Sequence, residues 1–207
     1  MTRLRLFAVV LGGLALGSLS ALAVLPGGLG RLLPGGAPGQ PAGPSLGKAL
    51  IGGPFSLTDH TGRRVTEKDF LGRYTLVLFG FTFCPDVCPS GLQVMSAALD
   101  QLGPRAARVT PILISVDPER DTPAQLATYV QSFHPRLLGL TGTPEELQVV
   151  AKAYRVYFKK VKDERAADYT IDHTALIYLM GPDGTYVTHF TPATRSDQMA
   201  DRLAKLL

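Results

Sequence analysis

Cys84 and Cys88, the only thiols among 207 residues, fall inside the stretch TLVLFGFTFCPDVCPSG (Thr75 to Gly91). Cysteines four positions apart reach the same side of a turn, close enough to bridge as a disulfide or to share a metal. Pro89 suits the first position of a helix, which sets Cys88 at or beside its cap. The partial positive charge of a helix start favours thiolate at both sulfurs, making them better nucleophiles and better metal ligands. Three chemistries compete for the pair. A structural disulfide closing three residues would remove little chain entropy. A redox dithiol ordinarily has two residues between its cysteines, and this chain has three. A metal site needs further donors, and His173, in DYTIDHTALIYLMGPDG (Asp168 to Gly184), offers one. Two thiolates and an imidazole form a soft donor set suited to copper, with zinc as the inorganic alternative.

The elements that must position these residues can be read from periodicity. Tyr74 to Phe81 is too apolar for an exposed sheet face and predicts a strand buried on both sides, with the cysteines leaving its carboxyl end. In open α/β sheets that edge is where ligand sites are built. A helix is expected from Pro89 to Leu102, with Leu92, Met95, Ala98, Leu99 and Leu102 on one face. A strand over Val109 to Val116 follows, then a helix opened by Asp121-Thr122-Pro123 and ending near His134. Next come a strand over Arg136 to Leu140, a helix from Thr143 to Arg155 and a strand over Val156 to Val161. After a charged loop to Asp172, Thr174 to Met180 and Thr185 to Phe190 make a hairpin around Gly181-Pro182-Asp183-Gly184, and a last helix starts at Ser196. A small hairpin around Asp59-His60-Thr61-Gly62 precedes all of these and is expected at the periphery. The order describes an α/β domain with a thioredoxin-like mixed central sheet flanked by helices. Thioredoxins carry a proline facing their cysteines at the start of a later strand. Thr170 to Met180 contains none, and His173 stands there instead, entering an apolar strand beside Asp172 and Thr174. His60 in a turn, His134 at a helix end and His189 near a strand end read as structural.

The carboxylates near the pair have plainer readings. Asp86 between the cysteines either tunes the pair through its charge or is a turn residue bonding its own backbone. Asp117, Glu119 and Asp121 could be imagined as a hard-metal site, yet Asp117-Pro118 and Asp121-Thr122-Pro123 are typical of a turn running into a helix cap. Asp117 also leaves a strand edge near the cysteines, where it could shape the loop or a partner surface.

Outside the domain, Leu6 to Leu25 holds no charge. Twenty such residues make a helix of about 30 Å, the thickness of a bilayer core. Arg3 and Arg5 precede it, so residues 1–25 are expected to anchor the chain with everything beyond on the outer face. A cleaved signal peptide ending near Ala23 is the rival reading. Residues 26–48 are expected to be a Gly/Pro-rich tether spanning on the order of 25 Å, and residues 49–207 the domain. The net charge of +4 arises before Ile51, after which acidic and basic residues balance. That balance argues against nucleic acid as partner. Lys159, Lys160 and Lys162 are a solvated strand end or a contact for an acidic partner.

FTFCPDVCP, SVDPERDTP (Ser115 to Pro123) and DYTIDHTALIYLMGPDG, in that order, resemble the Sco/SenC family of membrane-anchored copper-binding proteins, over Ile51 to the C-terminus. The resemblance implies a chaperone that receives copper, as Cu(I) or Cu(II), from an upstream donor. It further implies help in assembling the binuclear centre of cytochrome c oxidase subunit II, with Cys84, Cys88 and His173 as metal ligands. A membrane-tethered thiol-disulfide oxidoreductase, with Cys84 and Cys88 as a catalytic redox pair reducing the acceptor's cysteines, is the alternative. A peroxidase is a weaker third, since FTFCP also resembles peroxiredoxin sites, which want a single nucleophilic Cys with Thr and Arg nearby.

Overall fold

The computed structural model describes residues 50–162 and 169–207. The expected anchor, cleavage site and tether, and most of the charged loop, lie outside the described residues. Among those described, no helix is long and apolar enough to cross a membrane.

Seven strands form one sheet in the order β2-β1-β5-β4-β3-β8-β9. At its centre β3 (Tyr74–Gly80) runs parallel to β4 (Val109–Ser115), and β4 parallel to β5 (Leu138–Thr141). On the far side of β3, β8 (Ile177–Met180) and β9 (Tyr186–Phe190) continue antiparallel. Side chains alternate across a strand, and β3 and β4 are apolar on both faces because both faces are covered. One face carries Leu76, Leu78 and Leu113 against α1 (Val87–Leu102), α2 (Pro123–Val130) and α4 (Ser196–Ala204), through Leu92, Leu126 and Met199. The other carries Val77, Phe79, Ile112 and Ile114 against α3 (Pro144–Tyr154) through Val150 and Tyr154.

Four local expectations need correction. The small hairpin, β1 (Ser56–Asp59) and β2 (Arg64–Thr66), is part of the main sheet: β1 pairs with β5, and its alternation buries Leu57 completely. Helix α1 starts at Val87 behind Asp86 rather than at Pro89, since a proline anywhere in the first turn removes only an N–H that has no partner within the helix. Helix α2 starts as expected, behind Thr122, whose hydroxyl accepts from Gln125 N at 3.2 Å, but stops at Val130, before His134. The largest departure concerns His173. It closes a strand β7 (Tyr169–His173), whose first four residues fall in the span read as a loop, and among the described residues β7 pairs only with β6 (Phe158–Lys162) in a separate two-stranded ribbon. Thr174 stays with that ribbon, its N–H donating to the Tyr157 carbonyl at 3.0 Å and its hydroxyl accepting from Tyr157 N at 3.1 Å. The chain therefore joins the central sheet only at Ile177.

Candidate metal centre

The cysteine loop leaves the carboxyl end of β3 and turns at once into α1. Gly80, the last residue of β3, permits the return: a Cβ there would meet Cys88 Sγ at 2.6 Å. The Cys84 N–H donates to the Phe81 carbonyl at 3.2 Å, closing the turn. Asp121, wholly buried just before the Thr122 cap of α2, holds the same loop by accepting from Thr82 N at 3.0 Å, Thr82 Oγ1 at 2.6 Å and Ser115 Oγ at 2.6 Å. Burial pushes its carboxyl above the usual range, against the pull of the Ser115 and Thr82 donors.

The structure brings Cys84, Cys88 and His173 together. Their donor atoms all lie within 4.8 Å of one another, the only such grouping of three or more His, Cys, Asp or Glu among the described residues. Cys88 Sγ is 3.3 Å from His173 Nε2. On the other side of the ring, His173 Nδ1 is 3.1 Å from the Ile171 carbonyl oxygen. A carbonyl only accepts, so Nδ1 carries the hydrogen and Nε2 keeps its lone pair towards the sulfurs. Phe81 packs edge-on against the imidazole, with ring centres 5.6 Å apart, and fixes its plane.

Both cysteines are free thiols. They share a hydrogen bond that pulls them in opposite directions: the Cys88 S–H donor lowers Cys84, against burial and with help from the Asp86 and Cys88 backbone N–H groups. The same bond raises Cys88, together with burial and the charge on Cys84. The pair is thereby asymmetric, with Cys84 favoured as thiolate and Cys88 favoured as thiol. Such a pair can accept a soft cation by releasing the second proton, or can attack a disulfide through Cys84.

The SCO1/SenC family model matches residues 43–207. The chain belongs to the SCO1/SenC family. It is 48% identical over 161 residues to the human mitochondrial protein SCO1 homolog, covering 77% of this chain and 54% of that one. To the Arabidopsis thaliana mitochondrial SCO1 homolog 1 it is 48% identical over 164 residues, covering 79% of this chain and 49% of that one. It thus spans about half the length of these relatives. Among solved structures, Bradyrhizobium japonicum ScoI with copper bound is 50% identical, with a TM-score of 0.71 over 76% of this chain and 99% of that one. Yeast Sco1 with copper bound is 38% identical, with a TM-score of 0.70 over 75% of this chain and 87% of that one. The mixed sheet and its helices are accordingly the Sco variant of the thioredoxin-like fold.

In this Sco domain the remaining candidates lie apart from the three donors. Asp117 is fully buried and accepts from Arg120 Nε and, at 2.7 Å, from the Tyr169 hydroxyl. Glu119 pairs with Lys160 at 2.5 Å, so Asp117, Glu119 and Asp121 are each engaged by protein donors. Asp86 is exposed and accepts from Ser90 Oγ at 3.3 Å. His60 Nδ1 accepts from Gly139 N, His134 Nδ1 from Arg136 N, and His189 Nδ1 lies 2.6 Å from the Tyr186 hydroxyl. Sequence reasoning passed over Phe81, Arg120 and Tyr169, which surround the loop. The three-residue spacing of Asp117 and Arg120 was the one available signal, because such a pair can meet on a turn.

Proposed function

We propose that this protein carries copper, bound by Cys84, Cys88 and His173, and delivers it during assembly of cytochrome c oxidase, to the binuclear centre of subunit II. The observation that carries the reading is the convergence of two sulfurs and an imidazole Nε2 within 4.8 Å, with the tautomer set by the Ile171 carbonyl. Two soft sulfurs and one nitrogen suit Cu(I), and three ligands leave room for an incoming one. Copper is cargo here: an acceptor's cysteines and histidines would displace the donors one at a time. The copper-bound Bradyrhizobium and yeast Sco structures support the cargo. Residues 1–25 serve in this reading as the membrane anchor, 26–48 as the tether, and 49–207 as the copper domain on the outer face.

The test is a copper titration of reduced protein under anaerobic conditions. His173→Ala is expected to bind copper at least about tenfold more weakly while Cys84 and Cys88 still form and exchange a disulfide. Unchanged affinity in that variant would remove His173 as a ligand.

The asymmetric thiol pair favours a second reading, reduction of the acceptor. The Cys84 thiolate would attack one sulfur of the acceptor's disulfide, releasing the other as a thiolate. Cys88, passing its proton to the acceptor thiolate just released, would then resolve the mixed disulfide by displacing the acceptor's second sulfur as a thiolate, leaving this chain oxidised and the acceptor reduced by two electrons. Absence of exchange with an oxidised acceptor domain in metal-free buffer would exclude it.

A further inference from the structure

His173 reaches the cysteines from a ribbon that is not part of the main sheet, so something must hold that ribbon in place. Alternation puts Tyr169, Ile171 and His173 on one face of β7. Ile171 is buried in the core. Tyr169, at the opposite end from the histidine, meets Arg120 in three ways. The guanidinium carbon lies 3.8 Å from the centre of the Tyr169 ring, Nη1 donates to the Tyr169 carbonyl at 3.0 Å, and the Tyr169 hydroxyl donates to Asp117, which also accepts from Arg120 Nε. The same guanidinium lies 4.8 Å from the Phe83 ring and 5.7 Å from the Phe81 ring. Phe83 immediately precedes Cys84, and Phe81 packs on the His173 imidazole. One planar cation therefore touches both halves of the centre, the cysteine loop and the histidine strand.

We propose that Arg120 is a positioning residue for the metal: paired with Asp117, it clamps Tyr169, and with it the strand carrying His173, against Phe81 and Phe83 of the cysteine loop. The proposal rests on Cys84, Cys88 and His173 being the ligands. Arg120 Nη2 is buried with no hydrogen-bond partner among the described residues, a cost that an arrangement selected for stability alone would avoid. The demand for a planar cation explains why the cost is kept. A lysine ammonium could pair with Asp117 but could not stack between rings while bonding a carbonyl edgewise. Neighbours that orient ligands in this way are typically worth ten- to a hundredfold in metal affinity.

A double-mutant cycle on the full chain tests the clamp, read by competition for Cu(I) with a chromophoric chelator and by nitrogen hyperfine coupling in the electron paramagnetic resonance spectrum of the Cu(II) form. Arg120→Gln is expected to weaken Cu(I) binding about tenfold or more and to diminish the nitrogen coupling. In the His173→Ala background the same substitution is expected to change affinity less than about twofold, since the ligand it positions is already gone. Arg120→Lys is expected to fail to restore affinity. Equal losses in both backgrounds, or no loss in either, would overturn the proposal. Should His173→Ala alone bind copper like the unaltered chain, the ligand assignment falls and the clamp with it, a pattern visible from that single variant. If Arg120→Gln does not fold, Tyr169→Phe takes its place. That variant keeps the ring, loses the hydroxyl bond to Asp117, and is expected to weaken Cu(I) several-fold only where His173 is present.

Discussion

At the scale of single residues, the centre depends on one missing side chain as much as on the donors present. A methyl group at position 80 would lie 2.6 Å from Cys88 Sγ, with Leu113 closing the other side at 3.4 Å. Gly80→Ala is therefore expected to push the sulfur away from its partners, lowering copper affinity about tenfold while costing about 1–3 kcal/mol of stability from overpacking. Chelator competition and denaturant unfolding on the same sample check both. The thiol pair gives a second expectation. An ordinary cysteine has a pKa of about 8.5 and loses about tenfold in thiolate for each pH unit below it. Cys84 is held below that value by the Cys88 hydrogen bond, so its thiolate persists as pH falls through 7 to about 6, whereas Cys88 keeps its proton. Alkylation of the metal-free protein, followed by peptide mass spectrometry, is expected to label Cys84 at pH 6 nearly as fast as at pH 8 and to leave Cys88 largely unlabelled. Equal labelling of the two would contradict the asymmetry.

At the scale of elements, helix α3 shows how local sequence sets a boundary. Thr143 accepts from Glu146 N at 3.3 Å, Glu146 returns a carboxylate to Thr143 N at 2.9 Å, and Pro144 occupies the first helical position. The same Glu146 reaches Arg64 of β2 at 2.6 Å, tying the helix to the sheet edge. Thr143→Ala is expected to cost about 1 kcal/mol in urea unfolding, with copper binding unchanged. The helix start at Thr143, the Gly181–Gly184 turn and the apolar runs of β3 and β4 were legible in the sequence because they depend on neighbours within a few residues. The ribbon β6–β7 was legible only in its first strand, expected over Val156 to Val161 and found at Phe158–Lys162. Its pairing of Phe158 with His173 spans a long sequence separation, and β6 has the exposed, lysine-rich pattern of a solvated segment. The candidacy of His173 as a ligand could be read from its type and its motif. Its delivery by a strand outside the main sheet, and the Arg120 contacts that hold that strand, depend on tertiary packing that no local pattern encodes.

At the scale of the whole molecule, stability and copper binding are expected to respond to different groups. His134 is buried after α2, and burial holds its imidazole below the usual value, outweighing the Asp100 carboxylate 3.9 Å away. The unfolded chain takes up a proton at about pH 6.5, whereas the folded chain resists until the pH is lower. Stability is then fully present above about 6.5 and declines as the pH falls through that value towards the folded one. Thermal melts of His134→Gln are expected to lose this part of the slope between pH 7 and about 5.5, and an unchanged slope would assign it elsewhere. Coordination of copper by two sulfurs and one imidazole is read out by copper-edge X-ray absorption of the Cu(I)-loaded protein. Two sulfur scatterers and one histidine nitrogen per copper are expected, the nitrogen vanishing in His173→Ala. A spectrum with a single sulfur, or one unaltered by His173→Ala, would contradict that coordination.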